Sequence, residues 1–541
     1  VANSKRQTWQ LSPSGRYLFD PKQSESGKQP KRRISAIPLL LLAVPLALLA
    51  VPITSLVLSS MYGSGHELHQ HLHFPVYMVV PFAALLLAIA LMPLAPEKVH
   101  HWWEENQNRL LVALGLGAPV VLYMVVMFGG HAAAQAVWHA IKEYISFVAL
   151  LFTLYTIAGG IHLQGNLVGT PRINTIFLAI GTVLASVIGT TGAAMVLVRP
   201  MLRTNSERRH TVHIFIFFIF LVANIGGSLT PLGDPPLFLG FLRGVPFFWT
   251  LALTPMWLTA GGILLTIFYC LDRFVYYPRE SAADIAHDEM DYVPLRLLGK
   301  HNILYLGAAI AAILLTPTLE HLLSSPGHHI ELWWVRDAVM VSLALMSMKT
   351  TPAAIRYEKN QFNFYAMGEV AALFLGIFIC MIPALSILNQ AGRDGAIPVK
   401  QPAHFLWATG VCSGFLDNAP TYLVFVSVAQ GVVEKQKSLA EAGGAPLKIG
   451  SETYPFPKKQ LGLPQNFLLA IAVGSVFFGA LTYIGNAPNF MVNAICVEQG
   501  IPMPSFLGYL KWSVCVLVPV YLLVTIIFFN GLEMLKGLVG G

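Results

Sequence analysis

Charge is what this sequence has least of. Of its 541 residues only 11% are Asp, Glu, Lys or Arg, while 55% are hydrophobic. A soluble domain carries roughly 25% charged residues, so the chain reads as a polytopic membrane protein. Cysteine is scarce as well. Cys270, Cys380, Cys412, Cys496 and Cys515 stand in apolar segments without CxxC or paired spacing. That excludes a thiolate metal site or a disulfide scaffold and makes them core residues. No Ser/His/Asp set, HExxH or Walker loop stands in the apolar runs, which sets an enzyme aside. The net charge of +7 is concentrated in the first 34 residues and a few loops. In a membrane protein that reports topology and not nucleic-acid binding.

Apolar runs are what the chain has in place of charge. Those near the ~20 residues needed to cross a bilayer fall at 36–60, 74–95, 110–129, 143–163, 211–230, 248–270, 301–317, 336–349, 369–389, 466–485 and 510–530. They predict an all-α fold of about eleven transmembrane helices. Two further runs, 173–200 and 404–433, are broken midway at Gly189-Thr190-Thr191-Gly192 and at Asp417-Asn418-Ala419-Pro420-Thr421. Each half is too short to cross, so both are expected to be re-entrant hairpins.

Positive-inside counting places the amino terminus in the cytoplasm. Residues 1–34 are polar and basic, and a disordered tail is expected there. Residues 35–73 hold an extra first span and an outer segment containing His66, His69, His71 and His73, which looks like a metal site by composition. Residues 272–300 form a cytoplasmic linker. Paired tryptophans (Trp102-Trp103, Trp333-Trp334) fit an interfacial belt.

One apolar segment is interrupted by Gly227-Ser228-Leu229-Thr230-Pro231-Leu232-Gly233-Asp234-Pro235-Pro236. A helix cannot pass through those prolines and Gly233 without losing backbone hydrogen bonds. In lipid the freed groups must be paired inside the protein. A second copy stands at Gly479-Ala480-Leu481-Thr482-Tyr483-Ile484-Gly485-Asn486-Ala487-Pro488. A shift of 252 positions aligns the two breaks, with Asn486 where the first has Asp234. A shift of 226 places Glu143 on Glu369 and Ala193 on Ala419. Residues 74–271 and 301–541 are therefore expected to be two repeats. The odd number of crossings in each makes them inverted, the architecture of an alternating-access carrier.

Two hairpin tips and two helix breaks should converge at the centre. They offer Thr190, Thr191, Ser228, Thr230, Asp234, Asp417, Asn418, Thr421, Thr482 and Asn486. These are oxygen-rich ligands without lysine or arginine, a set suited to hard cations. Sodium is expected at Asp417, Asn418, Asp234 and Thr230. A buried carboxylate that holds either a cation or a proton exchanges one for the other. Asp417 has a second reading as a cap on backbone amides. Glu143 and Glu369 are read as acids at helix N-termini, with a proton relay as the other option.

At these residues the chain resembles the ion transporter superfamily, which includes NhaD-type sodium/proton antiporters, arsenite permeases, citrate transporters and dicarboxylate carriers. Asn224-Ile225-Gly226-Gly227-Ser228-Leu229-Thr230-Pro231-Leu232-Gly233-Asp234 is similar to the GG-TP-GD break of the NhaD-type antiporters. Phe415-Leu416-Asp417-Asn418-Ala419-Pro420-Thr421 is similar to their LDN-P-T tip. Thr191-Gly192-Ala193-Ala194 resembles the first tip of the permease branch, but Thr190-Thr191 replaces the usual Asn-Asp. The resemblance implies a homodimer held by a scaffold domain in a bacterial-type inner membrane. It implies sodium or lithium and protons as the transported or coupling ions, with no resident cofactor. The leading expectation is a sodium/proton antiporter; the alternative is a sodium- or proton-coupled carrier of citrate or a dicarboxylate.

Overall fold

A computed structural model describes residues 73–281, 288, 290, 292–324, 330–443, 448–449, 452–453 and 459–529, and one pair of two-residue strands at 10–11 and 17–18. The rest of the basic tail, the first span at 36–60, and His66, His69 and His71 lie outside the described residues.

Helices dominate. The first series is α1 (Val80–Leu91), α2 (Glu97–Glu104), α3 (Asn106–Phe128), α4 (Gly130–Ala158), α5 (Pro171–Ile188), α6 (Thr190–Thr204), α7 (Val212–Leu221), α8 (Pro235–Leu242) and α9 (Thr254–Leu271). The second is α10 (His301–Leu323), α11 (Trp333–Thr350), α12 (Tyr365–Asp394), α13 (Pro402–Phe415), α14 (Asn418–Gly443), α15 (Gln465–Phe478), α16 (Ala487–Glu498) and α17 (Phe506–Phe528). Strands β1 (His162–Asn166) and β2 (Val293–Leu298) pair antiparallel and tie the 272–300 linker to the loop after α4.

Among the described residues seven helices are long and apolar enough to cross a membrane: α3, α4, α5, α10, α12, α17 and the run Phe247–Arg279 that contains α9. The chain is a multi-pass membrane protein. The expected count of about eleven includes the 36–60 run, which lies outside the described residues, and among the described ones the difference has three physical reasons. The helices Val76–Leu91, Val212–Ser228 and Gln465–Leu481 are too short alone, the last two because glycine and proline stop them. Helix α11 carries Arg336, Asp337 and Lys349 in its 18 residues. Helix α5, read as half of a hairpin too short to cross, is a continuous 18-residue helix.

One continuous core runs through two groups of helices. Helix α12 packs along α3 and α4 on one side and along α14 on the other, and α4 also packs on α11. Phe147 of α4 stacks on Phe374 of α12 with ring centroids 4.7 Å apart, a contact worth about 1 kcal/mol beyond burial. The second group gathers α5 to α8 and α13 to α16, with α13 lying along α15. Helix α7 is enclosed there: from His213 to Leu221, a run mostly of Phe and Ile, every residue is buried, as a helix apolar around nearly its whole circumference must be. Two cysteines depart from expectation. Cys270 and Cys515 are exposed on the bundle surface and only Cys380 and Cys496 are buried, because an apolar outward face suits a thiol facing lipid as well as a core does.

Candidate functional site

The breaks are built alike. After α7 a single turn over Ile225–Ser228 is followed by irregular chain until Pro235 opens α8. After α15 a turn over Gly479–Leu481 is followed by irregular chain until Ala487 opens α16. The residues that precede α8 and α16 have nearly the same backbone: Asp234 at φ −145°, ψ 143° and Asn486 at φ −152°, ψ 138°. Each break is closed by a threonine. Thr230 Oγ1 donates to Ser186 O at 2.5 Å and accepts the Leu232 N–H at 3.1 Å. Thr482 Oγ1 donates to Gly414 O at 2.5 Å and accepts the Ile484 N–H at 3.3 Å. The chain folds back so tightly that a Cβ at Gly233 would stand 2.1 Å from Gly227 O, and one at Gly485 would stand 2.6 Å from Gly479 O. Only glycine fits there.

Three of the four irregular segments deliver a donor to one carboxylate. Asp234, 1% exposed, accepts Thr190 Oγ1 at 3.1 Å, Asn486 Nδ2 at 3.0 Å and Asn418 Nδ2 at 2.6 Å. Thr190 and Asn418 open α6 and α14, and Asp234 and Asn486 precede α8 and α16. Four helix N-termini thus gather around the acid, and each contributes positive dipole. No Lys, Arg or His among the described residues pairs with Asp234.

The remaining expected residues have other partners. Ser228 Oγ donates to Ile225 O at 2.8 Å within its own turn. Thr421 Oγ1 donates to Asp417 O at 2.8 Å. Thr191 is half-buried and makes no side-chain hydrogen bond among the described residues. Asp417 Oδ1 accepts the Ala419 N–H at 3.0 Å, the geometry of a helix cap. Of the four sodium ligands expected, Asn418 is bonded to Asp234, whereas the Thr230 hydroxyl and Asp417 are engaged with backbone.

The register of the tips also differs. Collinearity set Asp417 against Thr191, but in the structure Asp417 precedes α14 as Gly189 precedes α6, and Asn418 matches Thr190. The helix starts, which fix where a tip donor points, fall two positions away from the sequence alignment.

Two site residues escaped the expected set. Asn224 and Asn489, both 0% exposed, bridge the breaks: Asn224 Nδ2 donates to Asn489 Oδ1 at 2.7 Å. Asn489 Nδ2 in turn donates to Gly479 O at 2.8 Å and Thr482 O at 2.9 Å. Their signal was an asparagine in each break segment, at different places in the repeat. Glu143 is not at a helix start, since α4 begins at Gly130. It is held by Arg243, the residue following α8, through bonds of 3.1 and 3.0 Å. Glu369, near the start of α12, pairs with Arg109 at 3.2 Å. Away from the tips, His213 bonds to Asp272 at 3.1 Å beside the buried Arg208–Asp272 pair.

The arrangement provides one enclosed carboxylate, amide and hydroxyl donors, and helix N-termini. That chemistry suits a cation or proton at Asp234 and carboxylate oxygens at the surrounding N–H groups. The family described as "Putative citrate transport" matches residues 70–529. No curated protein matches the chain.

Proposed function

The chain belongs to the family described as "Putative citrate transport", a transporter family and not an enzyme family, and from that premise we propose that it is a secondary active carrier of citrate or a related carboxylate, coupled to sodium or protons. The sodium/proton antiporter that the tip motifs suggested becomes the second reading, because the family description names a carboxylate.

One observation carries the coupling. The Asp234 carboxylate is enclosed by neutral donors from Thr190, Asn418 and Asn486, with no basic side chain bonded to it among the described residues. A buried carboxylate in such a place is costly unless its charge is met. A proton or a sodium ion meets it, and binding either one excludes the other. The anionic substrate is then received by the N-termini of α6 and α14 and by the amides at their tips, once the carboxylate beside them has been neutralised. This reading takes 74–271 and 301–541 as inverted repeats, with α5–α6 and α13–α14 as re-entrant hairpins and the site near the bilayer midplane. A homodimer in a bacterial-type inner membrane, amino terminus inside, completes it.

Purified protein in liposomes checks the proposal. An inward sodium or proton gradient is expected to drive uptake of labelled citrate, and Asp234→Asn to remove it. If neither citrate nor a related carboxylate enters while sodium or lithium collapses an imposed pH gradient, the antiporter replaces the carrier.

A further inference from the structure

A polyanion carrier with no lysine or arginine at its tips needs positive charge elsewhere on the path, and the structure holds a cluster of it. Arg199 and Arg203 lie one turn apart on α6. Arg199 is about 14 Å along the helix from Thr190 at 1.5 Å per residue. Arg199 Nη2 donates to Gln361 Oε1 at 3.1 Å, and Arg203 Nη2 to Leu163 O at 2.7 Å. Lys359 Nζ donates to Gln164 Oε1 at 3.2 Å, one residue along β1 from Leu163. Every acceptor is neutral. Five other arginines answer to carboxylates: Arg109 to Glu369, Arg208 to Asp272, Arg243 to Glu143, Arg336 to Asp337 and Arg393 to Glu434. Arg356, fully buried behind the cluster, also bonds only to neutral groups: Thr156 O, Ser347 O and the hydroxyls of Ser347 and Thr351.

The positive field has a measurable target. Buried His162 of β1 has its proton affinity lowered, first by burial and then by Arg203, Lys359 and Arg199 around it, against the opposing bond to Asn360. Glu498 of α16 forms no ion pair with Arg199. Gln361, which receives Arg199, sits at φ +48°, a left-handed conformation uncommon for a side-chain-bearing residue and concentrated at ligand clamps.

We propose that Arg199, Arg203 and Lys359, with the Gln361 amide, form a vestibular binding site for a polycarboxylate, which collects the substrate before it reaches the Asp234 centre. The inference rests on the carrier reading for its place in transport, though the binding it asserts can be measured alone. Guanidinium groups offer paired N–H donors matched to carboxylate oxygens. The neutral acceptors now holding them are exchanged for an anion without breaking an ion pair. A phospholipid phosphate has related chemistry, so the lipid must be controlled.

Citrate binding is measured on the full chain in phosphatidylcholine nanodiscs, and transport in liposomes of the same lipid. The R199Q/R203Q double variant, whose amides preserve hydrogen bonding, is expected to bind citrate about tenfold more weakly and to raise KM about tenfold, with kcat within about twofold. R199K/R203K, which keeps the charge but not the paired donors, should recover only part of the affinity. Arg273→Gln, on the linker, should leave both unchanged. Unchanged binding and KM in R199Q/R203Q overturn the vestibule and leave the carrier standing. A wild-type chain that binds citrate but transports none, together with loss of that binding in the double variant, overturns the carrier and leaves the site. A double variant that loses only its stabilisation by phosphatidylglycerol, with citrate binding intact, assigns the cluster to lipid and overturns the proposal.

Discussion

The two helix breaks have one backbone and two chemistries. Thr230 and Thr482 close them with equivalent bonds to Ser186 and Gly414, and the residues before α8 and α16 share their dihedral angles within a few degrees. Yet the first ends in an acid and the second in an amide, and the amide of Asn486 donates to the acid of Asp234. Symmetry of the chain gathers four helix ends at one point, and asymmetry of one side chain puts a single titratable charge there. Two acids at these positions would repel each other inside a low-dielectric site. Two amides would leave nothing for a cation or proton to hold.

The largest effect should follow from erasing that difference. Asp234→Asn makes the breaks equal and is expected to reduce gradient-driven citrate uptake below about 1% of wild type, a loss of more than about 2.7 kcal/mol in the driving interaction. The melting temperature should move little, because the shape is retained and an isolated buried charge is removed. The double swap D234N/N486D moves the acid across the pseudo-twofold relation. Partial recovery of uptake in the swap, against none in Asp234→Asn, would show that the site needs one acid and not a particular break.

A second contrast is between the acids Glu143 and Glu369, which occupy matched sequence positions. Glu143 is 8% exposed and forms two bonds with Arg243, tying the end of α8 to α4, whereas Glu369 is 36% exposed and meets Arg109 on the neighbouring α3. Gln499 follows α16 as Arg243 follows α8, so the second repeat has no equivalent clamp. Glu143→Gln should therefore destabilise by about 3 kcal/mol, since a charge is left without its partner. Glu369→Gln should cost about 1 kcal/mol or less at its more exposed site. Denaturation in detergent ranks the two, and equal losses would remove the contrast.

Asn489→Ala tests the bridge between the breaks. It leaves Gly479 O and Thr482 O without their donor and takes one of two acceptors from Asn224 Nδ2, which keeps Ile219 O, an expected loss of about 2 kcal/mol. Uptake should fall because the second break is no longer held against the first. Asn224→Ala, which leaves both of those carbonyls paired to Asn489, should cost less.

What was legible in the sequence follows from which forces are local. Glycine and proline end helices through their own backbone chemistry, so both breaks and Asp234 could be read directly from the chain. Apolar runs located most of the helices by the same logic. Lateral partners were not local. Nothing near Glu143 announces Arg243, and nothing near Thr230 announces the Ser186 carbonyl. The tip register was missed because matching Ala193 to Ala419 weighs residue identity, whereas the donors are aimed by where α6 and α14 begin. Helix α11 illustrates another limit. Its Arg336 and Asp337 look too polar for a span, but they satisfy each other at 2.8 Å, and Ser146 of α4 donates to Asp337.

The smallest effect separates the two acids of the site from each other. Asp417 directly precedes Asn418, whose amide donates to Asp234, and sequence alone singled out both acids. In the structure its Oδ1 accepts the Ala419 N–H, and Gly189 occupies the equivalent place before α6. Asparagine caps a helix about as well as aspartate. Asp417→Asn is therefore expected to shift stability by less than about 0.5 kcal/mol, and Asp417→Ala to cost about 1 kcal/mol. Citrate uptake by Asp417→Asn should stay within about threefold of wild type, since removing a charge that repels the anion at Asp234 leaves its three donors in place. Loss of uptake as deep as that of Asp234→Asn, with the fold intact, would instead make Asp417 a second cation ligand. The asymmetry would then run through the hairpin tips as well as through the breaks.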